Sequence, residues 1–227
     1  MHKAFGQSDP GLAEYVERVF AGADPLLDSI RERQAQAGLP DIAVGRLDGL
    51  HLEVIARAAG VKRAVEIGTL GGYSGVCLLR GMEPGGFLHT FEVSPAHAAV
   101  AEETFRVARA AGLSGEARVH VGPAAERLAD IEGHGPFDLC FIDADKPGYP
   151  LYLDWAAENL RVGGLVLGDN AFLFGRVGEE PGEKEQGEEK DRIRAMRTFN
   201  ETLARGGRFR ATMLPTAEGL ALGVKIR

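Results

Sequence analysis

Residues 65–74 read VEIGTLGGYS: an apolar run carrying one acid, three glycines, and the start of a helical pattern. Gly68, Gly71 and Gly72 let the backbone turn sharply from a strand into a helix and let a ligand approach main-chain N–H groups at a helix N-terminus. The spacing is G-x-x-G-G, not the G-x-G-x-x-G of dinucleotide-binding proteins, and Glu66 sits inside the strand end. On either side the same kind of short apolar run recurs, at 63–68 (RAVEIG), 87–93 (FLHTFEV), 117–122 (ARVHVG), 137–143 (FDLCFID) and 164–169 (GLVLGD). Helical periodicity fills the intervals at 72–81, 95–112, 123–131 and 150–160. This alternation predicts an α/β, doubly wound sheet, mostly parallel and covered by helices on both faces through right-handed crossovers. The last stretch, RFRATMLPTAEGLALGVKI (208–226), predicts an antiparallel hairpin at one sheet edge. Apolar residues at helical spacing over 11–37 and 46–59 predict an N-terminal helical extension, with Asp24-Pro25 starting its second helix and Gly60 closing its third.

A chain of 227 residues with 44% hydrophobic and 26% charged residues has globular composition and is long enough for one sizeable core. The expectation is a single domain, with residues 1–60 as the helical extension and 61–227 as the core. Of the net charge of −7, residues 179–191 carry −5, through seven acids and two lysines. The rest is close to neutral, which argues against tight nonspecific nucleic-acid binding and against a polybasic membrane contact. The Glu/Gly/Lys-rich segment 178–191 reads as a solvated loop, with a lid or specificity loop as the alternative. Cys77 and Cys140 lie inside apolar runs and read as buried thiols in a reducing compartment. No run approaches the ~18–20 apolar residues of a spanning helix, and the N-terminus has no apolar h-region, so a cytoplasmic protein is expected.

Two groups of residues carry chemistry. Glu92 ends the second run 20 residues after Gly72, where an acid that takes ribose hydroxyls belongs, so the pair suggests an adenosine-containing cofactor. The competing reading is a tight turn and a solvated strand-end acid. Farther on, FDLCFIDADKPGY ends a strand with Asp143, Asp145 and Lys146, and GLVLGDN ends the next with Asp169 and Asn170. Neighbouring strands lie about 4.8 Å apart, and two oxygens on one Mg²⁺ at ~2.1 Å each are at most ~4.2 Å apart, so adjacent strand ends can share an ion. Asp143, Asp169 and Asn170 offer only hard oxygens, which favours Mg²⁺, Mn²⁺ or Ca²⁺. Here the competing reading is helix N-capping by Asp145 and a simple turn at Asp169-Asn170.

Taken with FEVSP, VGPA, LRVGGLVLGDN and LPTAEGLALGVK, these segments resemble the cation-dependent class I O-methyltransferases, the family of the catechol and caffeoyl-coenzyme A enzymes. The resemblance covers roughly residues 40–227. It implies a Rossmann-like sheet of seven strands with the last antiparallel, S-adenosylmethionine as methyl donor, and a homodimer built partly on the N-terminal helices. It places the donor against Glu66, Gly68, Ser74, Glu92, Ala124 and Asp145, with Glu92 at the ribose and Pro123-Ala124 at the adenine. It assigns the ion to Asp143, Asp169 and Asn170, with Lys146 as general base or as a guide for the substrate oxygen.

The implied activity is methylation of one hydroxyl of a small vicinal dihydroxy (catechol-like) aromatic. A phenol with pKa about 10 is mostly protonated at neutral pH, so an ion and a base are needed to ready its oxygen. Alternatives are a tRNA hydroxyuridine O-methyltransferase, a nicotinamide-dependent oxidoreductase, disfavoured by the glycine spacing, and a noncatalytic adenosyl-binding protein. The chain departs from the family where the acceptor should lie: the family typically has Trp three residues after the Asn of GDN, and here Leu173 stands there between Phe172 and Phe174. The six histidines lack metal-ligand spacing, and Tyr149, Tyr152 and Trp155 read first as packing residues.

Overall fold

A computed structural model describes residues 10–179 and 187–227. The chain forms two compact units, Met1–Arg127 and Leu128–Arg227.

The first unit runs α1 (Pro10–Phe20), α2 (Pro25–Gln36), α3 (Arg46–Ala58), β1 (Arg63–Ile67), α4 (Tyr73–Gly81), β2 (Phe87–Glu92), α5 (Pro95–Ala110), β3 (Glu116–Val121) and α6 (Ala124–Arg127). As the sequence predicts, Asp24 caps α2: its carboxylate accepts the Leu27 N–H at 3.1 Å, and Pro25 takes the first helical position, where no N–H is needed. Arg80, at the end of α4, donates to both oxygens of the same carboxylate, which ties two helices together. The strands are parallel in the order β3-β2-β1, with Glu66 opposite Thr90 and Phe91 opposite His120. Ala64, Val65, Ile67, Leu88 and Phe91 are buried together with the polar Glu66, Thr90 and Glu92, so β1 and β2 are covered on both faces.

The second unit holds β4 (Phe137–Ile142), α7 (Tyr149–Asn159), β5 (Leu160–Gly168), α8 (Glu188–Arg205), β6 (Phe209–Leu214) and β7 (Leu220–Lys225). Its strand order is β4-β5-β7-β6; β4 and β5 are parallel, and β7 is antiparallel to both β5 and β6. The expected C-terminal hairpin is therefore present, with its second strand inside the sheet and its first at the edge.

Three expectations need correction. The helix expected over 123–131 is α-helical only to Arg127, and Leu128–His134 is a 3₁₀ segment. Leu128 and Ile131 are both buried, and a three-residue turn puts i and i+3 on one line. Strand β5 begins at Leu160, earlier than GLVLGD suggests, across a register irregularity between Phe137 and Leu139. The acidic segment is not loop throughout: Glu188 starts an 18-residue helix, and Glu188, Glu189 and Asp191 lie in its first turn, where the helix dipole favours negative charge. Residues 180–186 of that segment lie outside the described residues. Among the described residues, no helix is long and apolar enough to cross a membrane.

Candidate active site

The ends of β1 and β2 build a first cluster, within the first unit. After β1 the chain turns through Gly68 (φ +100), whose N–H donates to the Phe91 carbonyl at 3.0 Å, and Gly72 (φ +86), which caps α4. Leu70 between them also takes a left-handed backbone (φ +48), which a side chain disfavours. Its N–H is held at 2.8 Å by Oε2 of Glu92, whose Oε1 accepts the Ser94 N–H at 2.9 Å and has His97 Nδ1 3.5 Å away. Glu92 is buried and staples the strained turn to the end of β2. A carboxylate has about four acceptor positions, so this one can still take ribose hydroxyls.

Behind the turn Glu66 is fully buried and accepts from the Ser74 and Thr90 hydroxyls, both at 2.6 Å. Thr90 spends its single proton on Glu66, so in the 2.5 Å contact between the Thr69 and Thr90 hydroxyls Thr69 is the donor. After β3, Gly122 (φ +126) donates its N–H to the Glu92 carbonyl at 2.9 Å, and Ala124 opens α6, nearly covered.

The ends of β4 and β5 build a second cluster, within the second unit. Ile142 and Gly168 are register partners, so Asp143 and Asp169 leave adjacent parallel strands at the same level, and the Asp169 N–H donates to the Ile142 carbonyl at 2.9 Å. Lys146 returns toward them from a 3₁₀ turn, Lys146–Gly148, capped by Asp145, whose carboxylate accepts the Gly148 N–H at 2.9 Å and the Tyr152 hydroxyl at 2.6 Å. The Lys146 ammonium donates to the Asn170 Oδ1 at 2.8 Å and the Tyr149 hydroxyl at 2.7 Å, and lies 3.4 Å from Asp143 Oδ1. Tyr149 is fully buried, packs edge-on against Phe199, and donates its own proton to the Asp169 carbonyl at 2.9 Å. Asn170, with φ +54, turns its amide back toward that lysine.

Charge and burial oppose each other here. Burial lowers the pKa of Lys146, against the pull of the Asp143 and Asp169 charges. Burial likewise raises the Asp143 carboxyl above its ordinary value, against Lys146. The Tyr149 hydroxyl is pushed well up, first by burial and then by the neighbouring carboxylates, so it stays protonated and can offer Lys146 only an acceptor. Among the described residues, no group of three or more His, Cys, Asp or Glu side chains is placed to hold a metal. A hard-cation site would have to draw its third donor from the Asn170 amide. The donor chemistry fits: Asp143 and Asn170 already turn oxygens toward one positive charge, the Lys146 ammonium.

The pattern of a family described as O-methyltransferase matches residues 17–226. The chain belongs to the O-methyltransferase family. A protein of Niastella koreensis named catechol O-methyltransferase is 33% identical over 217 residues, 92% of this chain and 94% of its own. One of Mycobacterium tuberculosis with the same name is 36% identical over 190 residues, 84% of this chain and 82% of its own. The crystal structure of the O-methyltransferase from Bacillus cereus in complex with SAH is 33% identical, has a TM-score of 0.84, and covers 95% of this chain and 97% of its own.

In this O-methyltransferase the residues expected at the donor are divided between the units, Asp145 lying in the second and the other five in the first, while those expected at the cation all lie in the second. Glu66, Gly68, Ser74, Glu92 and Ala124 are brought together in the first, and Asp143, Asp145, Lys146, Asp169 and Asn170 in the second. Within the first, Glu66 and Ser74 are bonded to each other beneath the turn, and Glu92 is the carboxylate that grips the turn itself. Asp145 does act as a cap, the competing reading of the sequence. Tyr149 and Tyr152 are buried as packing residues, yet their hydroxyls bond Lys146 and Asp145. The three-residue interval between Lys146 and Tyr149 was the available signal, since it puts both on one side of a helical turn. Thr69 and Thr90 had no signal in the sequence, because their pairing depends on strand register.

Proposed function

We propose that this O-methyltransferase moves the methyl group of S-adenosylmethionine to one hydroxyl of a vicinal dihydroxy aromatic held beside a divalent cation. The observation that carries this reading is the convergence of Asp143 Oδ1, Asn170 Oδ1 and the Tyr149 hydroxyl on the Lys146 ammonium. The names of the two relatives support the catechol-like acceptor, and the SAH of the Bacillus cereus structure, the demethylated product, supports the donor.

In this proposal the first cluster binds the donor. Glu92 accepts the ribose hydroxyls while the turn at 68–72 offers main-chain N–H groups, and Ala124 borders the adenine. The oxygens of Asp143, Asp169 and Asn170 hold the cation. When bound, a divalent cation stabilises an ionised hydroxyl and orients two adjacent oxygens.

Lys146 handles the proton. Tyr149, whose own proton is committed to the Asp169 carbonyl, and the Asn170 Oδ1 act only as acceptors toward Nζ, so each keeps one N–H in place. The third position on Nζ, directed at Asp143, is the one that exchanges. Burial favours the neutral amine, which readies Nζ to accept the acceptor's hydroxyl proton. The acceptor oxygen forms its bond to the methyl carbon as the carbon–sulfur bond breaks, which leaves S-adenosylhomocysteine, the methyl ether and protonated Lys146. An oxyanion and a sulfonium then become neutral, so the dry surroundings of Lys146 favour the step.

The test is methyl transfer from labelled S-adenosylmethionine to a panel of catechols and to matched monophenols, with Mg²⁺ and with chelator. The reading expects catechol methylation that stops in chelator and returns with Mg²⁺. Equal rates on monophenols, or rates unmoved by chelator, would contradict it.

A further inference from the structure

The turn that follows Asp169 is strained well beyond what Asn170 requires. Leu173 (φ +47), Phe174 (φ +54) and Gly175 (φ +83) are successive left-handed residues, and two of the three carry large side chains. Leu173 is buried, whereas Phe174 is 66% exposed, the opposite of where an aromatic ring settles without a reason. Such outliers persist only where the surroundings over-determine them, and they concentrate at functional sites.

The surroundings that do so here belong to the tip between β6 and β7. The Ala171 N–H donates to the Gly219 carbonyl at 2.9 Å and the Phe172 N–H to the Glu218 carbonyl at 2.9 Å. The Phe174 N–H donates to Glu218 Oε2 at 3.0 Å. The Phe172 ring lies against Gly219 so closely that a Cβ there would stand 2.7 Å from it. On the other side the Asn200 amide of α8 donates to the Ala171 carbonyl at 2.8 Å. Only one of these contacts comes from an ionisable side chain, and it holds the exposed aromatic residue. The Leu173 N–H closes the turn on the Asn170 carbonyl at 2.8 Å, so the residue that grips one end also sets the other.

We propose that Glu218 is a positioning residue: its carboxylate fixes the 170–174 turn, and through it places Asn170 for the cation and Phe174 beside the acceptor. This deepens the functional reading above and rests on it. Glu218 bonds no residue of the Lys146 cluster, so its influence runs through the turn. A carboxylate–amide bond is charge-assisted and about twice as strong as a neutral one, so it offsets part of the cost of a backbone that two side chains disfavour.

The test compares wild type with Glu218→Ala, Glu218→Gln and the pair Glu218→Ala/Phe174→Gly, by amide exchange at residue 174, Mg²⁺ titration calorimetry, SAH titration and steady-state kinetics with a catechol. In Glu218→Ala the 174 amide exchanges faster, Mg²⁺ affinity falls and the acceptor KM rises, each by about tenfold, the worth of one charge-assisted hydrogen bond. SAH affinity stays within about twofold, and Glu218→Gln, which keeps an acceptor oxygen, recovers most of the loss. Glycine at 174 removes the backbone penalty, so the double variant recovers Mg²⁺ affinity if Glu218 acts through the turn. Unchanged Mg²⁺ affinity and acceptor KM in Glu218→Ala would overturn the proposal, as would a double variant no better than the single one. If wild type itself bound no Mg²⁺ and methylated no catechol, the functional reading would fall; faster exchange at 174 in Glu218→Ala would still show the grip on the turn, and unchanged exchange would end that too.

Discussion

The Lys146 ammonium donates to the Tyr149 hydroxyl at 2.7 Å while the same cation lies 4.5 Å from the centre of the Tyr149 ring. One buried tyrosine thus meets Nζ with both its hydroxyl oxygen and its ring, which fixes the direction of the ammonium. Replacing Tyr149 by Phe keeps the ring and removes the acceptor. The ammonium form then loses a partner, so the ascending limb of the kcat–pH profile moves to lower pH, while the plateau falls by about tenfold as Nζ loses its orientation. A limb that stays in place or moves upward would show that Tyr149 does not support the charged form.

Lys146→Met removes the proposed base outright and leaves a side chain of similar length. The expected loss in kcat is about 10²- to 10⁴-fold, with SAH affinity unchanged, measured by single-turnover kinetics and titration calorimetry. Turnover within twofold of wild type would remove Lys146 from the proton step.

Glu92→Ala strikes the donor cluster twice. It deletes the proposed ribose acceptor and frees the Leu70 and Ser94 N–H groups that the carboxylate satisfies at 2.8 and 2.9 Å. SAH affinity should drop more than tenfold, and thermal unfolding should show a loss of about 1–3 kcal/mol from the unpaired groups. Glu92→Gln keeps an acceptor oxygen and should be milder on both counts. Equal effects of the two variants would mean that the grip on the turn does not matter.

The legible part of this protein is the part its local chemistry dictates. The strand, glycine turn and helix at 63–81 follow from a change of apolar period at Gly68, and the cap at Asp24-Pro25 from two adjacent residues; both formed where expected. The helix Glu188–Arg205 was not legible, because only Ile193, Met196, Phe199 and Leu203 of its 18 residues are buried and its acidic first turn reads as a solvated run. In the site, residue types at strand ends pointed to Asp143, Asp169 and Asn170. The hydroxyl partners of Lys146 and Asp145 were hidden, since a buried tyrosine reads as packing until the tertiary fold shows what its oxygen meets. The bond from Phe174 to Glu218 spans 44 residues and has no local trace at all.

Acid should weaken the joint between α2 and α4. Arg80 lowers the pKa of Asp24 below its ordinary value of 3.8, chiefly through their hydrogen bond. A carboxylate with a lower pKa folded than unfolded contributes its full stabilisation above the unfolded value, and that contribution is lost as pH falls through the folded one. Asp24→Ala should therefore cost about 1–2 kcal/mol near pH 7, from the lost cap and ion pair together, and the gap to wild type should close below pH 4. A gap that stays constant down to pH 2, measured by urea unfolding, would contradict the pairing.

The two cysteines should be silent. Burial pushes both Cys77 and Cys140 up to about 12, and both are nearly or fully covered. A thiol-specific disulfide reagent at pH 7 should label neither in the folded protein and both in denaturant. Rapid labelling of the native protein would place one of them at the surface.

The central claim is that oxygens of Asp143, Asp169 and Asn170 together hold a divalent cation needed for methyl transfer. Mg²⁺ titration calorimetry on the SAH complex, wild type beside Asp169→Ala, tests it most directly. The account predicts one Mg²⁺ per chain in wild type and a loss of at least tenfold in affinity in the variant, with SAH still bound. A wild-type protein that binds SAH but takes up no Mg²⁺, or a variant that binds Mg²⁺ as tightly as wild type, would contradict it.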